Sequence, residues 1–149
     1  MIKDIGAATA LLGQAISLTA AFQGHPWQID SHMLFFALLA CLIFLRSVPA
    51  LLTGTALTAV HHLSLAMFLP AMVYPDGGTL QNLGRTILHA IILLLETAVL
   101  VVTVLVLKKM EGEMRDRNSE LESALAGSEK TRADAARAPS RRRSATTRQ

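Results

Sequence analysis

Charge is scarce through most of this chain. Residues 1–107 hold three basic side chains (Lys3, Arg46, Arg85) and four acidic ones (Asp4, Asp30, Asp76, Glu96). A soluble domain of that length needs a polar outer surface, and these residues cannot supply one. Cysteine is nearly absent too. Cys41 stands alone inside an apolar run, which excludes a disulfide framework within the chain and reads as a small apolar side chain. No CxxC, HExxH or phosphate-loop pattern occurs, and no Ser-His-Asp arrangement can be argued. The reading is therefore non-enzymatic. Lys3 is followed at once by Asp4, and the first apolar run continues without a cleavage site, so no signal peptide is expected.

Hydrocarbon takes the place of charge. The chain has 149 residues, enough for one domain, and is 52% hydrophobic with a mean hydropathy of +0.42. Four apolar runs follow one another: about Ile5 to Phe22, Ser31 to Leu45, Pro49 to Tyr74 and Leu83 to Leu107. A helix spanning a bilayer needs roughly 20 residues. The third and fourth runs exceed that length, the first is marginal, and the second borrows length at its ends with Arg46 snorkelling. The fourth, "ILLLETAVLVVTVLVL", has no polar face for water. The expected fold is all-α, a transmembrane four-helix bundle.

Loop charges orient it. "QGHPWQIDSH" has no Lys or Arg, "YPDGGTLQN" is acidic, "LRSVPA" carries Arg46, and "KKMEGEMRDR" follows Leu107. Both termini are therefore expected on the cytoplasmic side, with Trp27 and Tyr74 at the outer interface. Pro49 suits the first turn of a helix, and Pro70 lies near the outer end of the third run. "PDGG" closes a hairpin, making helices three and four antiparallel neighbours.

Residues 108–149 are different, with eleven basic and seven acidic side chains. Leu107, Met114, Leu121 and Leu125 fall near heptad seam positions, which points to a short parallel coiled coil and a homodimer. From about Gly127 the pattern dissolves, and "APSRRRSATTRQ" reads as a disordered basic tail able to rest on anionic membrane lipid. Three divisions are thus expected: a membrane module over 1–107, a cytoplasmic helical extension over 108–126 and a disordered tail over 127–149. Nothing in this pattern calls for nucleic acid.

Ionisable groups inside the apolar runs are the exception. His61 and His62 sit mid-run in the third, and His89 and Glu96 in the fourth. His32 opens the second, near His25 and Asp30. At 1.5 Å per residue, the His61–His62 pair and Glu96 should lie about 18 Å below the outer surface, and His89 about 8 Å below it, beside His32. Two tiers are therefore expected, a deep one of His61, His62 and Glu96 and a shallow one of His32 and His89. An unpaired charge at the bilayer centre costs about 2.5–3.5 kcal/mol on insertion scales, so such groups are functional candidates. Imidazole suits haem iron, copper and zinc, and a helix bundle with facing histidines can hold them. The competing reading is interhelical hydrogen bonding that serves packing alone.

Three stretches carry a likeness to a known family: "HPWQIDSHMLFFALLACL", "AVHHLSLAMFLPAMVYPDGG" and "LGRTILHAIILLLETAVL". Over about Gly24 to Val106 the chain resembles the four-helix membrane input module of certain bacterial methyl-accepting chemotaxis proteins, and of some diguanylate cyclases and histidine kinases. The likeness implies membrane-embedded sensing in a bacterial inner membrane, with His32, His61, His62, His89 and Glu96 at the motif positions. Haem b, or a copper or zinc ion held by the four histidines, is the expected cofactor. Receptors of that family continue into a relay and a methyl-accepting coiled coil. No such region occurs before Gln149, so a truncated receptor, or a module signalling through a separate cytoplasmic protein, is expected. A small haem or metal protein for electron or ion transfer is the alternative, and a ligand-free structural bundle the third.

Overall fold

Small side chains at helical spacing decide how the first helix packs. Ala8, Leu12, Ala15 and Thr19 recur every three or four residues and so share one face. They are the buried face of α1 (Ile2–Ala21). In the computed structural model, which describes residues 2–70 and 78–146, α1 packs on α2 (Gln28–Cys41) and α3 (Val48–Phe68). The side chains of Ile29, Thr79 and residues 137–146 are outside that description, as are Tyr74 and the Pro75-Asp76-Gly77 part of the expected turn. A 3₁₀ turn, Leu42–Leu45, follows α2, and α4 covers Thr79–Thr146. No strand occurs among the described residues.

The chain divides into two compact units, Met1–Lys108 and Lys109–Gln149. In the first, Leu12, Phe35, Leu39, Leu42 and Leu51 are fully buried. Gly54 of α3 lies where three elements meet. A methyl group placed there would stand 2.7 Å from Leu42 Cδ1, 3.1 Å from Leu39 Cδ1 and 3.5 Å from Leu12 Cδ2. The absent side chain leaves room at this point for the ends of the three leucines.

Two contacts set the register of α4 against α3. The hydroxyls of Thr55 and Thr97 are 2.8 Å apart, and the rings of His62 and His89 are 6.1 Å apart. Rising numbers on one helix meet falling numbers on the other, so the two are antiparallel neighbours. Each threonine hydroxyl also lies within hydrogen-bond distance of its own helix, at Leu51 O (2.9 Å) and Leu93 O (2.7 Å). Two protons serve these contacts, so one hydroxyl donates to the other, which donates to its own carbonyl. Thr55→Val should therefore lower stability by only about 0.6 kcal/mol, the average for such bonds in membrane helices. Unfolding in detergent measures it, and a loss several times larger would mean the pair carries α4.

The helix carries on where an end was expected. Gly127 does not break α4, which continues to Thr146. From Ser128 to Ala136 there is neither glycine nor proline, and alanines with mixed charges favour helix over coil. Apart from the half-buried Glu111, the described side chains of the second unit are exposed, Met114, Leu121 and Leu125 among them. Lys109 and Glu113 form an exposed pair at 3.9 Å, one helical turn apart.

Two helices are long and apolar enough to cross a membrane. They are Val48–Phe68, with a mean hydropathy of 1.3, and a stretch within Leu80–Ala136, with 2.9. Only 28% and 17% of these windows are buried inside the chain, whereas a core helix of a soluble protein is mostly covered. Leu83, Ile87, Ile91, Leu94, Leu95 and Val102 of α4 are all exposed.

Candidate histidine site

Four histidines from three helices come together. His62 of α3 is the centre, buried to 7% exposure. Its ring lies 5.4 Å from that of His32 on α2, 5.3 Å from His61 and 6.1 Å from His89 on α4. Phe35 fills the space beside them. It stacks on His61 at 5.1 Å and meets His62 edge-on at 4.9 Å. Phe36 lies 6.3 Å from His89. His25 is elsewhere, in the loop before α2, against Phe22 and Trp27.

Local sequence explains how the rings are held. His32, His62 and His89 each place Nδ1 within 2.8–2.9 Å of the carbonyl four residues earlier, at Gln28, Thr58 and Arg85. A carbonyl only accepts, so Nδ1–H is the donor in each case. In the neutral ring the lone pair is then on Nε2, away from the backbone. Holding one nitrogen in this way is how proteins aim a histidine at a ligand. Nε2 of His32 and Nε2 of His61 are buried without a hydrogen-bond partner. His32 is 4% exposed. Burying a polar atom unpaired is costly, so these two need an explanation beyond packing.

A cavity of about 120 Å³ opens between α3 and α4. His62 and His89 face it, with Thr58, Thr86, Phe36 and Leu93 among its walls. Thr58 and Thr86 turn their hydroxyls to Gly54 O and Asn82 O on their own helices. The imidazoles are thus its main polar groups.

The arrangement differs from the two tiers expected above. All four histidines form one cluster. Glu96 is not in it, because the register brings Thr97 opposite Thr55 and His89 opposite His62. Glu96 lies seven residues beyond His89, roughly 10 Å along the axis. Its Oε2 is buried without a partner, and no histidine pairs with it among the described residues. His61–His62 and Glu96 are not equally far from the outer ends of their helices, as counting residues to Tyr74 implied. α3 ends at Phe68, only six residues after His62.

Phe35 and the carbonyls at Gln28, Thr58 and Arg85 escaped the sequence reading. Their signal was spacing. Phe35 is three residues after His32, and each carbonyl is four residues before its histidine. Among the described residues, no group of three His, Cys, Asp or Glu side chains is arranged to hold a metal ion as it stands. Cys41 is exposed and takes no part. No family model, curated protein or solved structure matches the chain.

Proposed function

We propose that this chain is a membrane-embedded sensory input module of the chemotaxis-receptor kind, whose histidine cluster binds a metal centre, either haem iron or a transition-metal ion. One observation carries the reading. Nε2 of His32 and Nε2 of His61 are buried without hydrogen-bond partners next to the ring of His62, which itself faces a cavity with His89, in a chain whose apolar helix faces are exposed. Structural fasteners would pair with one another, whereas ligands keep a lone pair available.

Sensing, rather than electron transfer, is favoured by how α4 is held. α1 packs closely on α2 and α3, while α4 meets α3 through side chains such as Thr97 and His89. A helix held by few contacts can shift when one of them gains a ligand. α4 itself runs on past the site to Thr146. The readout is a labelled pair on α3 and α4, whose separation should change between ligand-free and ligand-bound protein. An unchanged separation with ligand bound would favour the electron- or ion-transfer reading.

In this proposal all four helices span a bacterial inner membrane with both termini cytoplasmic. Reporter fusions at Gly78 and Gln149 should report opposite sides, and the same side for both would remove the four-span topology. In the same reading the extension pairs as a parallel homodimer, supported by the exposure of Met114, Leu121 and Leu125 at heptad spacing. In a Cys41→Ala background, Leu121→Cys should crosslink between chains in the membrane. A thiol that reacts with a probe but does not crosslink would mean a monomer. A separate cytoplasmic signalling protein would read the paired helices.

A further inference from the structure

We propose that the histidine cluster holds one cuprous ion, with His62 as the central ligand and His32 and His89 on either side. The inference rests on the metal-centre reading above and specifies the ion.

Size favours a bare ion over the macrocycle. Pockets for drug-sized ligands measure about 300–1,000 Å³, whereas the cavity between α3 and α4 measures about 120 Å³. A porphyrin would have to part the two helices, and a bare ion would not.

Charge then separates the ions. The donors are imidazoles, the register keeps Glu96 away, and Cys41 is exposed. Among the described residues no anionic side chain is placed to offset a cation, so the site would carry the full charge of its ion. Desolvation rises with the square of charge, which makes a monovalent ion cost about one quarter of what a divalent one does. Zn(II) and Cu(II) are penalised, and Cu(I) least.

Coordination number points the same way. Structural zinc takes four ligands in a tetrahedron. The described residues offer no ready group even of three. Cuprous ion is satisfied by two or three imidazoles, and a small ring adjustment would complete such a set. The distances between ring centres are compatible with that adjustment. A ring bound through Nε2 at about 2.0 Å has its centroid about 3 Å from the ion, so two rings on one ion stand roughly 5–6 Å apart. His62 is 5.4 Å from His32 and 6.1 Å from His89. The unpartnered Nε2 of His32 gains a role.

The test uses the full chain, purified in detergent without oxygen. Cu(I) is titrated against a chromophoric chelator, Zn(II) and haem are titrated in parallel, and X-ray absorption is recorded on the copper-loaded protein. One equivalent of Cu(I) should be withheld from the chelator, with Zn(II) bound at least roughly 100-fold more weakly because of its larger desolvation. The absorption spectrum should show two or three imidazole nitrogens and no sulfur. Cys41→Ala should keep the equivalent, and His32→Ala should weaken it. Preferred binding of Zn(II) or haem, lost in His62→Gln, would overturn the ion assignment and leave the metal-centre reading standing. Sulfur in the copper shell, or loss of copper in Cys41→Ala, would overturn the assignment to the histidines. If copper, zinc and haem all fail to bind, both readings fall.

Discussion

His62→Ala is expected to lower the affinity of the cluster for its metal by more than about 100-fold, beyond the 10–100-fold typical of losing a supporting residue. Its ring has three histidine neighbours within 6.1 Å, and it faces the cavity. Its Nδ1–H is already given to Thr58 O, so Nε2 is the atom lost to the ligand. His61→Ala should weaken binding less. His61 is one residue away, about 100° round the helix, and its ring lies against Phe35. Glu96→Gln should leave affinity unchanged, since the register holds Glu96 away from the rings. Competition titrations on the three variants, with helicity checked by circular dichroism, give the comparison. A large loss in Glu96→Gln would show that α4 adopts a different register in the bound state. Equal losses in His61→Ala and His62→Ala would remove His62 from the centre.

The second large effect belongs to Gly54. Gly54→Ala should be tolerated, because the atoms that a methyl would crowd are the ends of the Leu42 and Leu39 side chains, which can turn away. Gly54→Leu should not. Leu12, Leu39 and Leu42 are fully buried and converge on that point from α1, α2 and the 3₁₀ turn, so a longer side chain has nowhere to go. Overpacking of this kind typically costs about 1–3 kcal/mol and at times more. The variant is expected at the upper end or beyond, with α1 displaced from α3. Thermal unfolding in detergent distinguishes the two substitutions. A leucine variant as stable as the parent would mean that the helices meet elsewhere.

Much of the architecture was legible because it follows from composition and local chemistry. Apolar runs of helical length, Pro49 at the start of α3 and charge withheld until residue 108 are properties of the chain itself. From them come an all-helical fold, four expected spans, of which two helices are long and apolar enough to cross a membrane, and the histidines as unusual groups. Hydrophobic length does not encode register, so the sequence could not show which polar groups meet. An offset of a few residues between α3 and α4 moves a side chain by several ångströms along the axis. Contacts between helices decided that offset: Thr55 with Thr97 and His62 with His89. They joined His32 and His89 to the His61–His62 pair and left Glu96 out. The close approach at Gly54 was likewise a tertiary matter, since a glycine in an apolar run does not say which neighbours will need its missing side chain.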